Sequence, residues 1–420
     1  MPKVRQFPSL MAHVSRVATA AALALAMVFA FTAATTGAAH AQGFQLLHTF
    51  VGPDGAQPNA GLTFDRGGKL YGTVRTGHSG SNWGGAFQMR HVNSVWIFTT
   101  LYIFDGTLED RVVFGPEGLL YGASPNNLTG FPYGYLFSLR PAINVCTTAL
   151  CTWNFTWLYG FLGASDGGTP RYGDLIFDQA GNMYGTGSLG GDSNSDGVVF
   201  KATRSGSNWT EQPIYTFQGA PDGSQPYNGV IFDSVGNLYG TTTKGGSSNN
   251  GTVFKLTPSG SGWTEQIIYN FTGGTDGSFP VSGLIMDSLG NLYGTSAAGG
   301  ANGGGTVFEL SPSGSNWNFN LIYSFSGSGQ QCGPWGTLAF DSTGSLYGLT
   351  RCDGAVAFGN LFKLSPSGSG WNYTSLYDFS GGNDGKFPYG NVIFDASGNI
   401  YGTASVGGQH NAGTVWEFTP

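Results

Sequence analysis

Charge is scarce in this chain: Lys, Arg, Asp and Glu together make up 10% of its 420 residues. The long charged tracts of nucleic-acid-binding tails are absent. A formal net charge of −7 also argues against a phosphate backbone or an anionic membrane as partner. Histidine is rarer still, with six residues, and no Ser-His-Asp order, phosphate loop or dinucleotide fingerprint stands out. The four cysteines are too few for a disulfide-built scaffold, and their spacing fits no zinc site. After residue 41 there is no apolar run long enough to cross a bilayer as a helix. What the chain has in quantity is glycine, 71 residues, and aromatic side chains, 14%. Such a composition reads as short aromatic strands joined by glycine turns rather than as a disordered polar chain.

The first forty-one residues stand apart. Lys3, Arg5 and Arg16 precede an apolar, alanine-rich stretch from Val17 to Ala34, which runs into a small-residue cleavage site, Ala39-His40-Ala41. That order is expected of a secretory signal peptide, with a mature chain from Gln42. No cysteine follows the cleavage site, so a lipoprotein anchor is not expected. Removing three cations and no acids takes the net charge from −7 to −10. The expectation is a secreted, periplasmic or cell-surface protein that is soluble after cleavage.

Tyr-Gly recurs at Tyr71, Tyr121, Tyr184, Tyr239, Tyr293, Tyr347 and Tyr401, and the last three intervals are each 54 residues. A unit of that length is one supersecondary element stacked on its neighbours. In the unit from Gly283 to Phe325, GLIMD (283–287), LYGTS (292–296), TVFEL (306–310) and a segment ending in LIYSF (321–325) alternate with turn signals. Connections this short make hairpins, so each unit is a four-stranded antiparallel meander. Both pleat faces carry apolar residues, as in Val307 beside Phe308, so each sheet must be sandwiched. Seven such sheets packed radially give an all-β, seven-bladed β-propeller over residues 42–420. The last unit stops at Pro420 without a fourth strand, whereas FQLLHTF (44–50) precedes the first unit and matches a fourth strand. Pairing the two closes the ring and removes two exposed edges.

The segments FDSVGNLYGTTTKGG (232–246), GTVFKLTPSGSGW (251–263) and IIYNFTGGTDGSFP (267–280) recur in this order. In that combination the chain resembles the GloVer repeat, a tandem repeat of exported bacterial proteins named from Gloeobacter and Verrucomicrobia. The resemblance covers nearly the whole mature chain. It implies an exported, cell-surface or extracellular repeat protein and no particular activity.

In a meander the loop entering each blade and the loop between its second and third strands share one face, here called the top. The entering loops carry Asp-Gly at Asp54, Asp105, Asp166, Asp222, Asp276 and Asp384. A ring of acids suits a cation, but a signal repeated in nearly every blade points to a repeated turn. Asp65, Asp178, Asp233, Asp287, Asp341 and Asp395 read in the same way as turn caps on the opposite face. Asp192-Ser193-Asn194-Ser195-Asp196-Gly197 has the D-x-N-x-D-G spacing of a calcium loop, with Asp192, Asn194 and Asp196 as ligands. Thr203 stands where a bidentate glutamate would complete it, so a polar turn competes with this reading. Cys332 and Cys352 fall in the two top loops of one blade, and Cys146 and Cys151 in one hairpin; export and topology favour those two disulfides. Trp335, Arg351 and Asp353, in the least regular blade, could form a sugar site, with the ring stacking and the charged pair bonding hydroxyls. The competing reading is a variant loop with Trp335 packed inward. His78 and His410 would be neighbours after closure but lack a third ligand.

These readings converge on a non-catalytic binding or surface-interaction module for a polysaccharide or a surface protein. No cofactor is required beyond a possible calcium ion, and a monomer is expected. The rivals are a secreted carbohydrate-active enzyme, a lyase or hydrolase, and a purely structural envelope repeat. A cluster of non-repeated carboxylates on the top face would mark the enzyme; Glu109, Asp110 and Asp353 are the irregular candidates.

Overall fold

A computed structural model describes residues 43–77, 83–125, 131–141, 152–327, 331–368 and 370–420. The expected signal peptide, His78 and the Cys146–Cys151 pair lie outside the described residues. Among these residues every regular element is a strand, and no helix is long and apolar enough to cross a membrane.

Seven four-stranded antiparallel sheets form the blades of a propeller. The strand Gly43–Thr49 joins the outer edge of the sheet made by Ile393–Phe394, Ile400–Ala404 and Thr414–Thr419, so the first and last segments share a blade as the sequence predicts. Just past that pairing, the Phe50 N–H donates to the Gly413 carbonyl at 3.0 Å. The innermost strands differ from expectation. They keep only two paired residues, as in Ile285–Met286, where five were expected. The residues before them turn in toward the axis instead of pairing along the sheet, and they line the channel described below.

The apolar core is a ring of seven clusters, one between each pair of neighbouring blades. The repeated Tyr-Gly-Thr triplet is explained by what each residue does there. The tyrosine ring meets the next blade edge-on, as in Tyr184 against Phe232 (5.1 Å) and Trp263 (6.4 Å). Its hydroxyl donates to the aspartate that caps the preceding turn, as from Tyr184 to Asp178 at 3.1 Å. The glycine lets the third-strand ring lie across the sheet: a Cβ on Gly185 would sit 2.6 Å from Cζ of Phe200. The threonine hydroxyl crosses to the next blade, as from Thr186 to the Asn228 carbonyl at 2.9 Å. One triplet therefore fixes both ends of a blade to its neighbour.

The outer strands carry a second circumferential series. Tyr102 stacks on Phe155 (5.0 Å), Tyr269 on Phe319 (4.4 Å), Tyr323 on Tyr373 (4.4 Å), Tyr377 on Phe44 (3.9 Å) and His48 on Phe98 (4.1 Å). Phe44 and His48, both on the N-terminal strand, complete this series across the closure. At the two remaining junctions the stacking ring is replaced by a carboxyl, Glu211 beside Tyr159 and Glu265 beside Tyr215.

Candidate ligand-binding site

The two kinds of top loop are held together in most blades by a short antiparallel contact, such as Ala56 with Thr76, Ser278 with Ala298 and Pro334 with Thr350. The Asp-Gly aspartates are the struts of these loops. Asp222 accepts hydrogen bonds from the Tyr215 hydroxyl (2.9 Å) and the Gln218 N–H (2.9 Å), and Asp166, Asp276 and Asp384 repeat the pattern. Asp65, Asp178, Asp233, Asp287, Asp341 and Asp395 cap the opposite face, each accepting N–H groups two and four residues on. Repeated residues thus have repeated structural work.

The axis of the ring is where repetition stops. Third before the apolar residue that leads into each innermost strand stand Asn59, Glu109, Tyr172, Tyr227, Val281, Trp335 and Tyr389. Most of them line the axial channel. The Trp335 ring lies 6.0 Å from Tyr172, which reaches it from the far side of the ring, 5.5 Å from Tyr389 and 5.8 Å from Phe279. Its indole N–H donates to the Gln331 carbonyl at 2.9 Å. These half-buried rings floor the top mouth of the channel. Deeper down, Arg111 and Asp174 close the throat with a bidentate pair, one arm of which measures 2.9 Å, and Arg111 also donates to the Leu62 carbonyl at 3.2 Å. The throat is tight enough that glycine is required: a Cβ on Gly390 would meet the Gly61 nitrogen at 2.6 Å.

Around the floor stand three arginines and one acid. Glu109, 4% exposed, is gripped by Arg75 at 2.9 Å on one carboxylate oxygen and faces Arg171 at 3.5 Å on the other. Below it, burial first and the charge of Glu109 second push the Asp110 carboxyl well above the ordinary range, and this carboxyl accepts the Gly173 N–H at 3.2 Å. Burial and the same glutamate also push the Tyr172 hydroxyl up. Arg351 spans Tyr389, Phe387 and Trp335, its guanidinium 5.1, 5.9 and 6.0 Å from the three ring centres. Its backbone N–H donates to the Gly333 carbonyl at 3.2 Å. Cys332 and Cys352 are disulfide-bonded, with Cα atoms 4.8 Å apart, as the sequence predicts. The bond staples the loop bearing Trp335 to the one bearing Arg351.

Of the three residues expected to act together, Trp335 and Arg351 therefore meet at the mouth, with the indole packed among other rings. Asp353 does not join them. Its charge acts on the outer-strand tyrosines Tyr323 and Tyr373, because the loop turns outward after Cys352, the one residue between it and Arg351. In the calcium-like loop, the Asp192 carboxylate accepts the N–H groups of Asn194 (3.0 Å) and Asp196 (3.3 Å), which is turn-cap geometry. Among the described residues no three His, Cys, Asp or Glu side chains gather as a metal-binding group. Glu109 and Asp110 were visible in the sequence as irregular acids. Arg75, Arg171, Tyr172 and Tyr389 were missed; the signal that would find them is variability at one repeat position after the entering loop and at the end of the second strand.

A family model described as the Gloeobacter/Verrucomicrobia repeat matches residues 148–332 and 264–420. No curated protein matches the chain. Among solved structures, the extracellular domain of a candidate one-component system from B. thetaiotaomicron aligns with a TM-score of 0.52 at 11% identity, over 89% of this chain and 39% of that one. A candidate 6-phosphogluconolactonase from Bacteroides uniformis aligns with a TM-score of 0.52 at 13% identity, over 80% of this chain and 89% of that one. The chain thus spans well under half the length of the first structure. At such identities the likeness is one of fold alone.

Proposed function

The chain belongs to the Gloeobacter/Verrucomicrobia repeat family, and from that premise we propose that it is an exported, non-catalytic binding module whose ligand, a polysaccharide, docks at the top mouth of the axial channel. Export rests on residues 1–41, read as a cleaved signal peptide. The observation that carries the reading is the loss of repetition at one place. A propeller needs the same turn, cap and inter-blade residues from blade to blade, and this chain supplies them in most blades. Only a ligand without sevenfold symmetry gives a reason for the mouth ring to hold Asn59, Glu109, Tyr172, Tyr227, Val281, Trp335 and Tyr389 in turn.

The chemistry of the mouth suits saccharides. Aromatic rings offer faces to the C–H side of a sugar, and arginine and tyrosine donors beside them bond its hydroxyls. The disulfide and the Gly333–Arg351 hydrogen bond fix these groups before any ligand arrives, which lowers the ordering cost of binding.

A lyase or hydrolase has one observation in its favour, the non-repeated carboxyls Glu109 and Asp110 beneath the floor. Both are buried, one held by arginine and the other bonded to backbone, so neither is presented as a base to a ligand at the mouth. Incubating the purified protein with a panel of insoluble polysaccharides separates the readings. Retention without released fragments, weakened in Trp335→Ala, supports the binding module. Released sugar fragments would replace it with an enzyme, and neither result would shift the function to a protein partner or a structural role.

A further inference from the structure

Charge at the mouth runs against charge in the rest of the molecule. The chain is acidic and carries 17 cationic residues in 420, yet three arginines, Arg75, Arg171 and Arg351, converge on the aromatic floor. Against them the mouth sets Glu109. Arg111 and Asp174 cancel each other in the throat, and burial disfavours the charged form of Asp110. The mouth is therefore a cationic funnel on an anionic protein.

Arg351 is the least satisfied of the three. Arg75 and Arg171 are turned to Glu109, but among the described residues no carboxylate lies within ion-pair distance of Arg351. Its Nε is buried with no hydrogen-bond partner. Three rings hold its position, and the Tyr389 hydroxyl is its polar neighbour. A planar guanidinium fixed against aromatic rings with donors to spare matches an oxyanion better than it matches neutral hydroxyls.

We infer that the glycan taken at this mouth is acidic, with a carboxylate or sulfate ester on the sugar received by Arg351 while the ring stacks on the Trp335–Tyr172–Tyr389 floor. The inference rests on the glycan reading above and narrows it to a substrate class. Electrostatics also gives it a direction. The general field of the protein repels a polyanion, so uptake is confined to the mouth, where the low-dielectric rings strengthen the pairing.

The test is titration calorimetry of the intact mature protein with four soluble probes: oligogalacturonate, its methyl ester, dextran sulfate and neutral dextran. Binding of an acidic probe at least tenfold tighter than its neutral counterpart, and weakening as salt rises, is expected. Oligogalacturonate binding against its ester assigns a carboxylate, and dextran sulfate binding against dextran assigns a sulfate. Arg351→Gln should weaken the acidic probe about tenfold, while Arg351→Lys should recover part of the loss. Equal binding of the ester and the acid together with equal binding of dextran and its sulfate would overturn the inference and leave the glycan reading standing. Binding of none of the four would remove both. Should the Arg351 variants fail to fold, the two acidic-against-neutral comparisons on the unmodified protein still decide.

Discussion

Replacing Glu211 and Glu265 together by phenylalanine should stabilise the protein, and should do so more at pH 8.5 than at pH 5. At five of the seven blade junctions the outer-strand tyrosine or histidine stacks on a ring from the neighbouring blade; at these two it faces a carboxyl. Burial first, and the charge of Asp166 second, push the Glu211 carboxyl from 4.5 up to about 8, and burial with Asp222 pushes Glu265 up to about 7. One oxygen of each glutamate is buried without a hydrogen-bond partner. Because both folded-state values are raised, the neutral glutamates are tolerated at low pH. The unfolded chain ionises first, so stability is fully present below about pH 4.5 and is lost as pH rises through 7 to 8.

The magnitudes follow from the geometry. An aromatic pair contributes roughly 0.5–1.5 kcal/mol beyond its buried area at either pH. The ionisation penalty, discounted for the solvent that reaches both carboxyls, adds roughly 1–2 kcal/mol per site at pH 8.5. For the double variant this gives about 1–3 kcal/mol at pH 5 and about 3–7 kcal/mol at pH 8.5. With an unfolding entropy of roughly 2 cal/mol/K per residue, a domain of this size shifts by about 1 °C per kcal/mol. Thermal unfolding followed by circular dichroism at the two pH values should therefore show a gain of a few degrees at pH 5, and about twice that or more at pH 8.5. An equal gain at both values would refute the claim that the glutamates ionise at a cost, and a loss at pH 5 would refute the stacking argument.

Three further outcomes are expected. Deleting residues 42–50 removes the outer strand of the closing blade along with Phe44 and His48, so the truncated protein should aggregate or melt well below the full mature chain; equal melting would contradict the closure. Converting Cys332 and Cys352 to serine should cost about 3 kcal/mol by the loop-closure estimate for a crosslink of this span, read as a lower melting temperature. Any glycan retention should fall further than the stability loss accounts for, because the bond orients both Trp335 and Arg351. Asp192→Ala should cost about 1 kcal/mol through two lost N–H acceptors; a calcium-dependent rise in melting temperature that this variant abolishes would instead assign Asp192, Asn194 and Asp196 to a cation.

The architecture was legible because the signals that build it are local and repeated. Tyr-Gly-Thr, the capping aspartate six residues before the tyrosine and the Asp-Gly loop each recur with their neighbours, so one correctly read unit fixed the others. Closure was legible too, since a strand missing at one end was found at the other. The candidate site was only partly so. Cys332 with Cys352, and Trp335 near Arg351, could be placed from blade topology alone. Asp353 could not, because its direction depends on how one irregular loop turns after the disulfide. Tyr172 and Trp335 are separated by 163 residues and meet only because three blades carry the chain across the ring. Glu109, read as an irregular candidate acid of the top face, is the buried anchor for arginines from two other blades. In a repeat protein the consensus therefore encodes the scaffold, and a site on the axis is encoded by departures from it at a single repeat position. For this chain that position is the residue three before each inner-strand apolar anchor. Reading its seven occupants side by side, Asn, Glu, Tyr, Tyr, Val, Trp and Tyr, shows where a ligand without sevenfold symmetry would leave its mark.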